Sequence, residues 1–318
     1  MPVLSSVAIK ACAQMLGFDV CGIAPAGELP ELPFLQDWLS RGYAGSMTYL
    51  NRSADRRADV RRVLPTARTV IVTGTVYNTH RPYSTECRDE TRGLIARYAW
   101  GDDYHDVIER RLEALLEWMR QVSPEPFDAR SYVDTGPIQE RVYAQHAGIG
   151  WIGKNTCVIH PELGSWLFLG EIICSLPLAV DPPSLDRCGT CTLCLEACPT
   201  GALVAPAVLD STRCISYLTI EHRGEIPDAL EADVGAHVYG CDICQEVCPW
   251  NAAAPVSADP AWQPRPIWDL PSLAALSTLD DEALDEGLRG SAMRRAKAAG
   301  VRRNVGVALR NATRSIPR

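Results

Sequence analysis

Eight cysteines between Cys188 and Cys248 constrain this chain more than any other feature. Cys188, Cys191 and Cys194 are separated by two-residue gaps, and Cys198 comes three residues further on, directly before Pro199. This is the bacterial ferredoxin run, in which three closely spaced thiolates wrap one loop around a cuboidal cluster and the fourth reaches across to a second cluster. Cys241, Cys244 and Cys248-Pro249 repeat the ending, with the first cysteine of that set displaced upstream to Cys214 by an insertion. The crossing rule assigns Cys188, Cys191, Cys194 and Cys248 to one [4Fe–4S] cluster, and Cys198, Cys214, Cys241 and Cys244 to the other. Zinc is the competing occupant, since two CxxC pairs can make a tetrahedral site. Eight cysteines with two x3-Cys-Pro endings fit zinc poorly.

The chain has 318 residues, too many for a ferredoxin alone and enough for two or three compact units. Hydrophobic residues make up 47% and charged residues 22%, a globular balance. No apolar run approaches the ~18 residues a membrane helix needs. In Met1–Asp19 the only basic residue, Lys10, sits where the apolar core of a signal peptide would lie. A cytoplasmic location is therefore expected, with no membrane association. Thiols stay reduced there, so metal binding is the default reading of 13 cysteines. The five outside the motif, at 12, 21, 87, 157 and 174, read as ordinary buried thiols.

The net charge of −8 opposes nucleic-acid binding, but nine basic and no acidic residues lie between Arg289 and Arg318. Only three lysines occur, so arginine-rich codon usage explains the run as well as a functional tail does.

Residues 1–180 alternate strand-like and helix-like stretches and read as an α/β domain. The β-branched run from Arg68 predicts a buried strand, and apolar positions 108, 112, 115, 116 and 119 predict one helix face over 103–122. Ser131–Val133 reads as a short strand ending at Asp134. Residues 137–147 read as a helix with Pro in its first turn. Strands are expected again over 156–159 and 166–174, and Pro177, Pro182 and Pro183 mark a linker. The organisation expected is an α/β domain over 1–180, a ferredoxin-like unit over 181–255, and a basic helical region over 256–318 with helical patterns at 272–288 and 292–312.

Two patches remain. Gly148-Ile-Gly-Trp-Ile-Gly153 matches a dinucleotide fingerprint and, through Asn155, nearly a P-loop. Both motifs require a strand before and a helix after, and here the order is reversed. The glycines then suit close backbone approach to something large and flat, with Lys154 as a donor to it. Asp134 lies in Asp134-Thr-Gly-Pro-Ile-Gln-Glu-Arg141. An Asp at a strand end can face the crevice of an open α/β sheet, or simply cap a turn before Pro137; spacing leaves both open.

Taken together, VDTGPIQER at 133–141, GIGWIGKNT at 148–156, the CxxCxxCxxxCPTGAL run at 188–203, RCISYLTIEHRG at 213–224 and GCDICQEVCPWN at 240–251 resemble the epoxyqueuosine reductase family. ADRRADVRRVLP at 54–65 and the RRNVGVALRNA end extend the resemblance over nearly the whole chain. It implies a cobalamin-dependent oxidoreductase with a reductive-dehalogenase-like N-terminal domain and two [4Fe–4S] clusters. The reaction implied is reduction of the epoxide of epoxyqueuosine to the alkene of queuosine at the wobble base of tRNA. Longer members continue into HEAT-type repeats, of which this chain would hold only the first helices. The resemblance makes Asp134 the proton donor and places Arg57, Arg97, Arg141, Lys154 and Asn155, with Asp134, in motifs around the corrin. Cobalamin is expected base-off without a protein histidine ligand, since no DxHxxG setting occurs.

The chemistry implied is coherent. Two electrons and protons remove an epoxide oxygen, clusters deliver electrons singly, and a partly desolvated Asp134 with a raised pKa supplies an acid. An external low-potential donor, a tRNA anticodon stem-loop and a monomeric protein complete the expectation, with the basic tail as a phosphate contact. A reductive dehalogenase is the first alternative, although such enzymes carry a twin-arginine signal that is not seen here. An iron–sulfur electron carrier is the second, although a carrier does not need 180 residues of α/β domain.

Overall fold

The computed structural model describes residues 4–314. Its centre is a four-stranded sheet whose order, edge to edge, is Val20–Pro25, Thr69–Val76, Leu167–Cys174, Ala129–Tyr132. Every pairing in it is antiparallel. The crevice at a parallel-sheet switch point, one of the two grounds for singling out Asp134, therefore does not exist here. Asp134 reaches its cavity by a different route, described below. Thr69–Val76 is buried along its whole length, which accounts for its continuous β-branched run.

Helices cover both faces of the sheet. Tyr104–Val122 turns Ile108, Leu112, Leu115 and Met119 inward, where they join Ile9, Ile71 and Ile172. Asp103 caps this helix by accepting the His105 N–H, which fixes His105 in its first turn. Gly170 permits the close approach, because a Cβ there would stand 2.9 Å from Ile108 Cγ2. On the opposite face Val142, Tyr143 and Ala144 pack on Val70, Val72 and Ile173.

The second helix is shorter than its pattern suggested. It spans Glu140–His146, and Pro137 lies in the turn before it. Asp134, in that turn, has φ +57°, a left-handed conformation that is uncommon outside glycine. The proline-rich stretch after Leu176 has no regular structure, but it is pinned: Asp181 accepts the Ile23 N–H at 2.8 Å and pairs with Lys10.

The C-terminal helical patterns appear as Leu273–Thr278, Asp281–Leu288 and Lys297–Arg314. Leu279 is extended and Asp280 caps the next helix, which splits the first pattern in two. These helices share one core with Ile95, Ala99, Val238 and Tyr239. The strand His237–Tyr239, inside the cysteine insertion, pairs in parallel with Leu94–Ile95. One core thus draws on all three sequence-defined segments. Among the described residues no helix is long and apolar enough to cross a membrane.

Candidate functional site

The cysteine loops fold into two short helical turns, Leu193–Glu196 and Ile243–Glu246, which pack on each other. A small cavity is walled by Cys188, Cys191, Cys194 and Cys248. Burial first, and then the charges of Cys248, Cys188 and Cys191, raise the Cys194 pKa, and burial followed by Cys188 and Cys191 does the same to Cys248. The second grouping is equally clear: Cys198 acts on Cys214, and Cys214 on Cys241 and Cys244. Sequence neighbours are thereby exchanged between the sets, as the crossing rule requires. Four thiols lining one cavity, whose protons a bound metal would displace, fit a cuboidal cluster.

One hairpin, Trp151–Ile152 paired with Val158–Ile159, divides this cavity from a much larger one. On the cluster side Trp151 donates its indole N–H to Cys188 Sγ at 3.4 Å. Lys154 Nζ donates to the carbonyls of Gly189 (2.7 Å) and Cys191 (2.8 Å), and Asn155 Nδ2 to that of Cys244 (3.1 Å). Lys154 and Asn155 therefore clamp the two cysteine loops instead of lining the large cavity. The three glycines make room for neighbouring protein atoms, not a flat ligand: a Cβ would meet the Pro182 carbonyl oxygen at Gly148 (2.9 Å), the Ile159 carbonyl oxygen at Gly150 (2.4 Å) and the Ile159 side chain at Gly153 (2.4 Å). Cys157 is no ordinary buried thiol. It lies beside Cys244, and that sulfur hydrogen bond holds its pKa down against burial.

The large cavity measures about 1240 Å³ and is lined by Arg57, Asp134, Arg141, Thr156 and the edge of the hairpin at Ile152, among others. It exceeds the ~300–1,000 Å³ of ordinary small-molecule pockets. Arg57 is anchored by Nη1 to the Ile138 carbonyl (2.7 Å) and Nε to Ser53 Oγ (3.0 Å). Arg141 Nη1 donates to the Thr156 carbonyl at 3.0 Å. Arg97 is elsewhere. Buried to 2% exposure, its guanidinium bonds the carbonyls of Thr79, Arg81 and Pro82 and stacks near Trp100, Tyr83 and Trp166. It rivets a loop and does not touch the cavity.

Asp134 opens onto the cavity in a setting that sequence reasoning missed. His105 Nδ1 lies 2.7 Å from Asp103 Oδ1, and its Nε2 lies 3.4 Å from Asp134 Oδ2. The ring stacks on Tyr104 at 4.0 Å, and Tyr104 on Phe168 at 4.5 Å. Burial pulls the imidazole down, but hydrogen bonds and charge from Asp103 and Asp134 outweigh it and lift the pKa to about 9. Burial would raise Asp134, yet His105, Arg141 and Tyr104 hold it below its ordinary value. This reverses the expected raised carboxyl. At neutral pH Asp134 is ionised and the proton resides on His105. Nothing in the spacing of residues 105 and 134 links them; only the helix cap at Asp103 hints at a fixed ring.

Two further carboxyls lie behind Asp134. Burial first, and then the Asp134 charge, push Glu140 up to about 7. Glu171 is fully buried mid-strand and raised well above its usual range by burial and by Glu140. A lone charge inside the apolar run 166–174 was the available signal.

The basic tail is mostly spent on the fold. Arg295 pairs with Glu221, Arg302 with Asp281, and Arg310 and Arg314 with Glu231. Arg303 bonds the carbonyls of Leu218, His222 and Gly224. Arg294 and Lys297 are exposed, and Arg318 lies outside the described residues.

A ferredoxin-type cysteine unit one hairpin away from a large, charged cavity is the layout of an iron–sulfur oxidoreductase. A family model described as 4Fe-4S double cluster binding domain matches residues 187–251, and one described as Epoxyqueuosine reductase QueG, DUF1730 matches 57–135. An epoxyqueuosine reductase of Gloeobacter violaceus is 44% identical over 312 residues, covering 95% of this chain and 94% of that protein. Another from Synechocystis is 44% identical over 288 residues, covering 89% and 98%. A crystal structure of epoxyqueuosine reductase with an epoxyqueuosine-modified tRNA-Tyr stem loop superposes with TM-score 0.88 at 31% identity, covering 97% of this chain and 82% of that one. The chain belongs to the epoxyqueuosine reductase family.

Proposed function

We propose that this protein reduces epoxyqueuosine to queuosine in tRNA, using two [4Fe–4S] clusters and a cobalamin held in the large cavity. The observation that carries the reading is the placement of Asp134, in the family's VDTGPIQER motif, on a cavity of about 1240 Å³ that shares a wall with the cluster cysteines. Arg57, Arg141 and Thr156 supply fixed polar groups at its edge, suited to the amide-fringed rim of a corrin. Bound cobalamin supplies a low-valent, strongly nucleophilic metal centre. His105 lines the cavity, but an imidazolium bonded at both nitrogens has no lone pair for a metal, which supports cobalamin without a protein imidazole ligand.

The chain's own residues then do three things. The clamp at Lys154 and Asn155 holds the cysteine loops against the cavity wall. His105 stores a proton at neutral pH. Asp134 receives it and presents it to the departing epoxide oxygen, so the two act as one acid. Arg294 and Lys297 are the tail charges we assign to the stem-loop phosphates, which makes binding salt-dependent. The protein works in the cytoplasm as a monomer with an external low-potential donor.

The test is anaerobic incubation of the reconstituted protein, cobalamin and a reductant with an epoxyqueuosine-containing stem loop, read by mass. Loss of one oxygen is expected. No conversion by protein with both clusters and bound cobalamin refutes the reading.

A further inference from the structure

The removal of an epoxide oxygen as water takes two electrons and two protons. One C–O bond breaks as the oxygen takes a proton to become hydroxyl, and the second breaks as a further proton makes water. His105 can hold one of those protons. Behind Asp134 the fold keeps a second pair of groups that the reaction described above does not use.

Glu171 is at the centre of the sheet, opposite Val72 on one neighbour and Tyr132 on the other, and is 0% exposed. Glu140 is the first residue of the helix packed on that face and also lines the large cavity. Both oxygens of Glu171 and Oε1 of Glu140 are buried with no hydrogen-bond partner among the described residues. No N–H or O–H reaches them, and two ionised carboxylates can offer each other none. An unpaired buried carboxylate is too costly to persist. A proton held between the two is the arrangement that satisfies them, as in other carboxyl pairs that share a site. The charged and titratable groups acting on the pair are Asp134, Arg141, Arg57 and Tyr104. The backbone N–H of Asp134 also acts on Glu140, lowering its pKa, and both residues line the large cavity, so the pair lies beside the loop that presents the acid. The three carboxyls do not converge as metal ligands would.

We infer that the Glu140–Glu171 pair stores the second proton of the reaction and delivers it to Asp134 from the sheet side once His105 has given up the first. In that step a Glu140 O–H bond breaks and an Asp134 O–H bond forms. The pair is left with one proton fewer and is refilled from solvent through the cavity. The two electrons come singly from the external donor by way of the clusters. The inference rests on the function proposed above.

Burial and like charge agree with the geometry, since both carboxyls are shifted upward while Asp134 is shifted down. A proton therefore stays on the pair at neutral pH until Asp134 is drawn upon.

The test uses the cluster-loaded protein and the variants Glu171→Gln and Glu140→Gln. Infrared difference spectra without substrate should show a protonated-carboxyl carbonyl band at neutral pH that is missing in Glu171→Gln. Steady-state turnover should fall by about 10–10²-fold in both variants, with iron content and stem-loop affinity unchanged, and the pH profile should shift. A variant that loses thermal stability but keeps the wild-type rate and pH profile makes the pair structural and overturns the inference. So does the absence of the carboxyl band from the wild type, a reading that needs neither substrate nor cobalamin and can be made even if the wild type proves inactive on epoxyqueuosine.

Discussion

The cluster segment and the Asp134 cavity share one hairpin wall and are held by different means. On the cluster side the groups that matter lie within about sixty residues, and backbone carbonyls of the cysteine loops are tied by Lys154 and Asn155. On the cavity side Asp134, His105, Glu140 and Glu171 come from four elements, and charge and burial set their protonation. The first is a geometric device that stands or falls with its ligands. The second is an electrostatic device in which each group's state depends on its neighbours, so one substitution retunes the others without unfolding anything.

The largest effect belongs to the ligands. Cys248→Ser should remove the cluster otherwise held by Cys188, Cys191 and Cys194, although they lie more than fifty residues earlier, and iron should fall from about eight to about four per chain. Loss of the cluster held by Cys214, Cys241 and Cys244 instead would break the crossed grouping.

The cavity should respond more gradually. Asp134→Asn is expected to lower turnover by about 10²–10⁴-fold with both clusters retained, and His105→Gln by a comparable factor. The pair also has a signature in stability. The folded pKa of His105 is raised from the ordinary 6.5 to about 9, so its stabilisation is complete below pH ~6.5 and is lost as pH rises through ~9. That contribution is about 3 kcal/mol at most. Thermal midpoints across pH 6–9.5 should fall more steeply for the wild type than for His105→Gln. Parallel curves would show that the ring is not charged by Asp103 and Asp134.

The smallest effects separate two adjacent arginines. Arg303→Ala strands three carbonyls and should cost about 2–4 kcal/mol. Arg302→Ala breaks an exposed pair with Asp281, whose side chain is 77% exposed, and should cost about 0–1 kcal/mol. Denaturant unfolding measures both; equal costs would mean that the tail's charges are generic.

Local chemistry explains what could be read in advance. Cysteine spacing is a covalent ruler, so the grouping of the thiols could be read from sequence, and the 3.6-residue pattern of 103–122 does the same for its helix. Sheet order depends on pairings far apart in the chain, and the antiparallel arrangement was not legible. Nor was the position of Lys154 and Asn155: a motif shows that residues matter together, not which side of a hairpin they face. His105 stayed hidden because its partner Asp134 comes from a separate turn, 29 residues further along the chain. Arg97 looked like a cavity cation because burial among carbonyls and aromatic rings leaves no trace in spacing.

The shared C-terminal core bears on the order in which the molecule can be made. Cys214 and Cys241, proposed ligands of one set, pack against a cluster that includes Val307 of the helix Lys297–Arg314, and Asn304 of that helix bonds the carbonyls of Thr219 and Val238, which lie between them in the chain. During synthesis the cysteines emerge from the ribosome well before the helix that closes over them. The nascent chain therefore passes through a stage in which all eight thiols are present but one set lacks its apolar cover. For that set, iron–sulfur delivery has an open window that shuts when this helix docks, and maturation is timed by the helix and not by the ligands.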